Sequence, residues 1–241
     1  TLQLSLSEIR NISTLFTPPA PRKPIITNIY FFNKSLFISI IMAEIVRGGQ
    51  VFVVDNSVKN VRALFSLVRA SCVGVSAGLL FGSMKKPDIE KTMLAFINKK
   101  LSVLVSTTII ESGIDVPSAN TIIINNADCF GLSQLHQLRG RVGRADTVSF
   151  ASLFVSRSKK LSVEALSRLK TIKINSALGS GYQLALDDLR ARGAGSLFGY
   201  GQSGQGSVGF ECYTKLLSLA VKRAKKGASF LGPAKVLLEG A

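Results

Sequence analysis

The sequence predicts an α/β fold in which helices cover both faces of a parallel sheet. Apolar runs of strand length alternate with segments of helical periodicity between about residue 25 and residue 156. These runs are apolar at nearly every position, whereas a strand with one solvated face would alternate. Strands of this kind, separated by helices, are typical of parallel sheets. A chain of 241 residues is long enough to bury such a core.

The predicted elements alternate in order along the chain. Strands are expected at residues 25–32, 50–55, around Val73, 101–107, 121–126 and 149–156. Helices are expected at residues 35–47, 56–70, 87–100, from Gly131 onward, and at 161–178. The first helix is too short to span a bilayer, which needs about 20 apolar residues, and is predicted to be buried. The second has Ser57 as its expected N-cap residue and an apolar face formed by Val58, Val61, Leu64, Phe65 and Val68.

Changes in composition divide the chain into three segments. Residues 17–24, TPPAPRKP, carry four of the seven prolines, so residues 1–24 are interpreted as a linker. Residues 25–156 form the predicted α/β domain. Beyond it, glycine becomes dense at residues 179–209, and a last helix ends in a basic cluster at residues 222–226. Residues 157–241 are therefore expected to form an appendage.

The charge balance indicates a polyanionic partner. Thirty Lys and Arg residues against 14 Asp and Glu residues give a formal charge of +16, which favours nucleic acid or a phosphate-rich ligand. An acidic membrane surface is the weaker alternative. The odd number of widely spaced cysteines, Cys72, Cys129 and Cys212, favours reduced thiols in a cytosol-like compartment.

The segment QLRGRVGR, residues 137–144, places three arginines and two glycines within eight residues. Guanidinium groups donate paired hydrogen bonds to phosphate, and glycine lets the backbone approach a ligand closely. Ligands of open parallel sheets lie beyond the carboxyl ends of the strands. Because this segment follows the strand at 121–126, we expect it at that edge of the sheet. The alternative is a solvated basic turn at the end of a helix.

A second polar segment, VSTTIIESGIDVPSANTIII, spans residues 105–124. It places Thr107 and Thr108 at the end of a strand, a turn at Gly113, and an acid at Asp115. Hydroxyl groups and loop amides of this kind bind the phosphates of a nucleic-acid backbone without reading its sequence. Threonines at a strand end are usually structural, and the nearby arginine segment is what favours a binding role.

These two segments, together with DDLRARGAGSLFGYGQSG at residues 187–204, resemble the motor region of the transcription-repair coupling factor (Mfd) family. TTIIESGIDVPSANTIII and GLSQLHQLRGRVGRA resemble motifs V and VI of the second RecA-like lobe of superfamily two helicases. RecG-type DNA helicases are the nearest relatives. The resemblance extends over essentially the whole chain. It implies a helicase C-terminal lobe of the P-loop NTPase class, with a helical hairpin as the appendage.

The resemblance also implies roles for residues of the first two segments. Arg144 resembles an arginine finger and Arg141 a neighbouring phosphate contact, so these two are the implied catalytic residues. The implied ATP-binding residues are Gln137, Gly113, Asp115, Arg141 and Arg144. Thr107 and Thr108 are implied contacts to the DNA backbone.

The third segment resembles the translocation motif that couples closure of the motor to movement along duplex DNA. Its implied functional residues are Arg190, Arg192 and Gln202. The alternative for residues 187–204 is a flexible, glycine-rich loop.

A complete motor also needs a glycine-rich phosphate loop and an acidic motif that holds Mg²⁺. Neither is found in the sequence. GLLFGSMK, residues 78–85, has no Gly-Lys-Ser/Thr, and its FGSM resembles a His-Gly-Gln-Met segment in which Phe81 replaces the histidine. His136 is the only histidine, which excludes a metal site of several histidines and a Ser/His/Asp triad elsewhere. We expect His136 to be a helix residue beside the arginine segment.

The resemblance implies the partners as well. ATP and Mg²⁺ would be bound mainly by a first RecA-like lobe that this sequence does not contain, and the chain alone is expected to be inactive. The substrate would be double-stranded DNA. RNA polymerase and excision-repair proteins would bind other modules of the family, and no membrane is involved. The implied location is the cytoplasm, at the nucleoid, or an organellar equivalent.

Two alternatives remain open at this point. The lobe could belong to a RecG-like enzyme that remodels branched DNA, or it could be a DNA-binding or adaptor module without catalysis. A wedge domain upstream would favour the first alternative. An upstream reading frame without the phosphate loop would favour the second.

Overall fold

The computed structural model describes residues 23–108, 119–143, 147–156, 161–174 and Leu219. The strands in these ranges are β1 Ile26–Phe31, β2 Gln50–Val54, β3 Ala77–Leu80, β4 Val103–Ser106, β5 Ala119–Ile124 and β6 Phe150–Val155. The α-helices are α1 Lys34–Val46, α2 Val58–Ser71, α3 Lys86–Ile97, α4 Leu132–Arg139 and α5 Val163–Ile174. A short 3-10 helix, Ala127–Cys129, precedes α4.

The six strands form a single parallel sheet in the order β1-β6-β5-β2-β4-β3. Every pairing between them is parallel, as the continuous apolar runs predict. The central strands β2, β4 and β5 are buried along their whole length. All amino ends of the strands therefore lie at one edge of the sheet, and all carboxyl ends at the other.

Helices cover both faces of this sheet, which confirms the predicted fold class. On β2, Phe52 belongs to the core under α3, α4 and α5, whereas its neighbour Val53 belongs to the core under α1 and α2. Consecutive strand residues point to opposite faces. Burial on both faces thus explains why the strands read as uninterrupted apolar runs.

One local prediction is wrong, and another holds only in part. The strand expected around Val73 begins only at Ala77, and Val73 itself is 91% exposed. Gly74, with a φ of +79°, turns the chain before β3, and an apolar run shorter than a strand carries too little periodicity to identify it. Ser57 does occupy the N-cap position of α2, but its side chain makes no capping hydrogen bond.

Helix α5 packs into the core of the sheet although it follows residue 156. Leu169 and Ile172 are buried in the same cluster as residues of β5 and β6, and the helix belongs to the same compact unit, Thr17–Leu184. The predicted boundaries at residues 24 and 156 stay predictions, as does the hairpin at 157–241, most of which lies outside the described residues. Within the described residues, no helix has the length and apolarity to cross a membrane.

Candidate functional site

The arginine segment lies at the amino-end edge of the sheet, so its predicted place at the carboxyl-end edge is wrong. Helix α4 starts beyond the carboxyl end of β5, and its eight residues run back along the sheet for about 12 Å. At the far end, a Cβ atom on Gly143 would lie 2.9 Å from Cγ1 of Ile25, the residue before β1. The same atom would lie 3.6 Å from Cβ of Ser149, the residue before β6.

Gln137 and Arg141 are the described members of the predicted nucleotide-binding set in this segment. Gln137 is exposed on α4, and Arg141 is half-buried in the turn that follows the helix. Gly143 continues the turn with a φ of +76°, a conformation that an L side chain rarely adopts. Arg144 lies outside the described residues. The helix end and the glycine turn thus hold Gln137 and Arg141 near one another at this edge.

Arg139, the first arginine of the segment, anchors the segment to α5. It is only 4% exposed, and its Nη1 donates a 2.8 Å hydrogen bond to the carbonyl oxygen of Ile172. Its Nη2 lies 3.1 Å from Nδ1 of His136, one helical turn earlier. Because guanidinium nitrogens only donate, Nδ1 of His136 must accept this hydrogen bond and therefore carries no proton.

The pKa values of this pair follow from their burial. Burial lowers the pKa of Arg139 from its usual range. The pKa of His136 is lowered mainly by burial and in addition by the positive charge of Arg139. His136 therefore lies in α4 beside the arginine segment, as expected from the sequence, and serves as an acceptor for an internal arginine.

A second anchor fixes the chain on the other side of the arginine segment. Arg47, at the end of α1, donates a 2.8 Å hydrogen bond from Nη2 to the carbonyl oxygen of Val148. Its guanidinium carbon lies 5.1 Å from the ring centroid of Phe150, within cation–π distance. Thr147 adds a 3.0 Å hydrogen bond from its hydroxyl to Oδ1 of Asn120. Residues 147–150 are thereby tied to α1 and β5.

Glu44 holds Arg47 in place from within the core. The carboxylate is 2% exposed, and its Oε2 accepts hydrogen bonds from Nη1 of Arg47 at 2.9 Å and Oγ1 of Thr121 at 2.6 Å. Buried carboxylates are costly unless they are paired and hydrogen-bonded. Glu44 meets that condition through Oε2, which joins α1 to β5 and to Arg47, whereas its buried Oε1 has no hydrogen-bond partner among the described residues. The contact between Glu44 and Arg47 is the only ion pair among the described ranges of the chain.

Thr107 and Thr108, the predicted DNA contacts, lie at the opposite, carboxyl-end edge. Thr107 follows β4, and its amide donates a 3.1 Å hydrogen bond to the carbonyl oxygen of Leu80 at the end of β3. Both threonines are half-buried. Gly113 and Asp115 belong to residues 109–118, outside the described residues. Those ten residues connect the carboxyl end of β4 to the amino end of β5, and hence one edge of the sheet to the other.

Asp55 organises the carboxyl-end edge and was not identified from the sequence. It is 1% exposed at the end of β2, and Oδ1 accepts from the amide of Ser57 at 2.7 Å. Its Oδ2 accepts from Nδ2 of Asn125 at 2.7 Å and of Asn126 at 2.8 Å. Asn60 donates to both oxygens, at 3.1 Å and 3.2 Å. The carboxylate thereby joins the end of β2 to the start of α2 and to the residues that follow β5.

An open cleft of about 240 Å³ lies beside this group. Its polar wall consists of Asn60, Asn125, Asn126 and Ser156, and its apolar wall of Phe32, Ala63 and Leu64. Amide and hydroxyl groups at the ends of parallel strands are suited to polar ligands. Among the described residues, no group of three His, Cys, Asp or Glu side chains could hold a metal ion.

The structure therefore brings together some predicted residues and separates others. Gln137 and Arg141 share the amino-end edge, while Thr107 and Thr108 share the carboxyl-end edge. The translocation-motif residues Arg190, Arg192 and Gln202 lie outside the described residues. Sequence reasoning missed Asp55, and it missed the anchoring roles of Glu44 and Arg47. A single carboxylate within the apolar run SLFISIIMAEIV was the available signal for Glu44, because a charge inside such a run needs a buried partner.

Comparison with known proteins finds a domain family that matches part of the chain and similar proteins that match most of it. The helicase conserved C-terminal domain matches residues 34–146. The transcription-repair-coupling factor of Myxococcus xanthus is 44% identical over 222 residues, which cover 92% of this chain and 18% of that protein. The corresponding factor of Staphylococcus haemolyticus is 42% identical over 226 residues, 93% of this chain and 19% of that protein. The chain thus spans about a fifth of the length of these curated relatives.

A solved structure is similar to this chain in its three-dimensional fold. RecG bound to a three-way DNA junction superposes with a TM-score of 0.65 at 33% sequence identity, covering 83% of this chain and 26% of that chain. The matched domain contains the arginine segment, its two anchors and the threonines at the end of β4. Residues 34–146 are therefore a helicase C-terminal domain, and nearly the whole chain is similar to one region of the transcription-repair-coupling factors.

Proposed function

We propose that this chain is the second motor lobe of an ATP-dependent translocase that moves along double-stranded DNA. The observation that carries the proposal is the double anchoring of the arginine segment. Arg139 ties the segment to α5 on one side, and Arg47 ties residues 147–150 to α1 on the other. A guanidinium that must meet a phosphoryl group across a cleft needs such a rigid support, because preorganised donors stabilise developing charge best.

In this function the arginines complete a nucleotide pocket that belongs mainly to a first RecA-like lobe. Arg144 acts as the arginine finger and Arg141 as a second phosphate contact, with Gln137 beside them. Their positive charges stabilise the negative charge that develops on the transferred phosphoryl group, an effect of about 10³ to 10⁵ in turnover. Mg²⁺ is held by the first lobe. The half-buried position of Arg141 supports this role, since a partly desolvated guanidinium binds phosphate more strongly.

Thr107 and Thr108 bind the DNA backbone at the other edge of the sheet. The threonines end a fully buried strand, so their hydroxyl groups are offered from a rigid position. The formal charge of +16 favours a polyanion at this surface. Gly113 and Asp115, within the connection between the two edges, relate DNA contact to nucleotide contact.

The translocation motif converts closure of the two lobes into movement along the duplex. Arg190, Arg192 and Gln202 are its proposed functional residues. Binding to RNA polymerase and excision-repair proteins belongs to other modules of the complete protein. The protein acts in the cytoplasm, at the nucleoid, or in an organelle that retains a bacterial type of repair.

The finger is tested in the complete protein that contains both lobes. Arg144→Ala should abolish DNA-stimulated ATP hydrolysis and leave duplex binding nearly unchanged, because the finger does not touch DNA. Arg144→Lys keeps the charge without the planar fork and should restore little turnover. Normal turnover in either variant would refute the assignment of Arg144.

The translocation residues are tested separately from hydrolysis. Arg192→Ala and Gln202→Ala should leave ATP hydrolysis largely intact and stop displacement of the third strand from a DNA triplex. Loss of both activities together would argue against a coupling role for these residues.

A RecG-like function is the second candidate, and one observation favours it. The superposition with RecG on a three-way DNA junction extends over 83% of the chain. A RecG-like enzyme would unwind branched DNA in preference to moving along linear duplex. Comparing ATP hydrolysis stimulated by a three-way junction with that stimulated by linear duplex separates the two. An adaptor without catalysis would show no hydrolysis with either.

A further inference from the structure

Arg62 occupies a distinctive position at the carboxyl-end edge of the sheet. It lies in the second turn of α2 and is exposed, and its guanidinium carbon is 4.9 Å from the ring centroid of Phe81. Phe81 directly follows β3 and is itself only 9% exposed. The ring is therefore a fixed platform, and the guanidinium rests on it at cation–π distance.

The platform joins Arg62 to the proposed DNA contacts. Leu80, the residue before Phe81, accepts the hydrogen bond from the amide of Thr107, and Leu80 pairs in register with Ser106. Phe81 and Thr107 are consequently neighbours at the ends of adjacent strands. Arg62 thus lies over the same strand ends that carry the two threonines.

The donors of Arg62 are not used within the described part of the chain. No described carboxylate lies within ion-pair distance of it, since the ion pair there joins Arg47 to Glu44. A cation–π contact uses the face of the guanidinium and leaves the in-plane N–H groups for an acceptor. Such an arrangement preorganises an arginine for phosphate at a small cost in side-chain entropy.

The charges around this position favour an anion. Lys59, Lys85 and Lys86 are exposed on the segments that flank Arg62 and Phe81. Three described carboxylates belong to the same edge, and one of them, Asp128, is half-buried in the 3-10 helix after β5. Asp55 is buried and surrounded by donors from amides, and Asp88 is exposed in the first turn of α3. Basic groups therefore outnumber the accessible acids around Arg62.

We propose that Arg62, seated on the ring of Phe81, is a further contact to the phosphate backbone of double-stranded DNA beside Thr107 and Thr108. The contact rests on the proposed function, because DNA is taken to run along this edge. It gives Phe81 a positioning role: the ring sets the direction of the guanidinium and touches no nucleotide.

Arg69 provides a matched control on the same helix. It lies seven residues after Arg62, so it points to nearly the same side of α2 but two turns away, about 10 Å along the axis. Arg69 is also exposed and also stacks on a ring, that of Phe65 at 5.8 Å. It differs from Arg62 in lying toward the amino-end edge.

The test measures binding of the 241-residue chain to a labelled DNA duplex of arbitrary sequence over a range of salt concentrations. Arg62→Ala should weaken binding about tenfold at low salt and reduce the slope of log K against log salt by about one. Arg69→Ala should change neither quantity by a comparable amount. Circular dichroism and thermal midpoints of both variants verify that they are folded.

Two further variants examine the role of the ring. Arg62→Lys keeps the charge and should preserve the salt slope while losing part of the affinity. Phe81→Leu keeps the site apolar and should weaken binding less than Arg62→Ala does. Combined with Arg62→Ala, Phe81→Leu should cause no further loss, since it acts only through the guanidinium. Additive losses would overturn the positioning role of Phe81.

The outcomes separate this contact from the proposed function as a whole. Equal effects of Arg62→Ala and Arg69→Ala would overturn the contact at Arg62 while salt-dependent binding by the unmodified chain still supported a DNA-binding lobe. Failure of the unmodified chain to bind duplex DNA at low salt would instead contradict the DNA contacts of the proposed function itself.

Discussion

Substitution of Gly49 by alanine should destabilise the lobe through Glu44. A methyl group at Gly49 would overlap Oε1 of Glu44 and lie 2.8 Å from its Cδ atom. The carboxylate is buried and cannot swing into solvent without leaving Thr121 and Arg47. The new methyl group therefore displaces an ion that is held by the sheet and by α1.

The cost follows from the two hydrogen bonds that the displaced carboxylate loses. A hydrogen bond to a charged group contributes about 1.5 to 3 kcal/mol, and the bond from half-exposed Arg47 falls toward the lower limit because solvent screens it. The sum predicts a loss of about 3 kcal/mol in the free energy of unfolding. Domains of this type have about 5 to 15 kcal/mol in all, so the effect should be easy to detect.

Urea unfolding of the chain, followed by far-ultraviolet circular dichroism, measures this free energy. Gly48→Ala is the matched control: Gly48 has a φ of +76° and no heavy atom within 4 Å of its Cβ position. It should cost only the backbone strain of a left-handed alanine, about 1 to 2 kcal/mol. Combining each variant with Glu44→Ala then tests the mechanism, since removal of the carboxylate should relieve Gly49→Ala and leave Gly48→Ala unrelieved. An unchanged cost of Gly49→Ala in the Glu44→Ala background would refute the reasoning.

Four other substitutions address the buried polar groups Arg139, His136 and Asp55. Arg139→Ala should lower the free energy of unfolding by about 3 kcal/mol in urea titrations, because it leaves a cavity and strips the buried carbonyl of Ile172 of its donor. Because the pKa of His136 is lowered in the folded state, the unfolded chain binds more protons below the ordinary value of 6.5. Stability should therefore fall as the pH drops from about 7.5 to about 5.5, and His136→Gln should flatten that profile. Asp55→Ala should cost about 3 kcal/mol or more, because it removes the acceptor for Ser57, Asn60, Asn125 and Asn126, and Asp55→Asn should cost less in the same assay.

The sheet could be predicted because strands that are buried on both faces are apolar at nearly every position. The segment VFVV, residues 51–54, alternates between the two cores, with Phe52 on one side and Val53 on the other, so all four of its positions are apolar. The strand β3 has no such continuous run of large apolar residues. Its sequence AGLL contains Gly78, where a Cβ atom would lie 2.6 Å from Cδ1 of Leu101. The close packing of Leu101 requires a glycine at this position, and the sequence around Gly78 does not indicate that contact.

The place of the arginine segment could not be predicted from its position after a strand. The short α4 carries the chain from one edge of the sheet to the other before Arg141 is reached. The contact of Gly143 with Ile25 joins residues more than a hundred positions apart. Likewise Asp55 reads as an ordinary strand end, and its four donor residues converge on it only after folding. Motif spacing identifies the chemistry of such segments, whereas the crossover connections decide which edge they occupy.

The separation of the two edges bears on how the proposed motor transmits force. The proposed DNA contact at Thr107 and the proposed nucleotide contact at Arg141 lie at opposite ends of a sheet whose central strands are fully buried, so neither end can move far without the other. Arg139 links the arginine segment to Ile172, two residues before the end of α5, and the chain continues from there toward residues 187–204. In the proposed motor, a displacement of the arginine segment is thus passed to α5 by a buried 2.8 Å hydrogen bond. In that scheme Arg139, which is not assigned a ligand, would connect the proposed ATP hydrolysis with the proposed translocation segment.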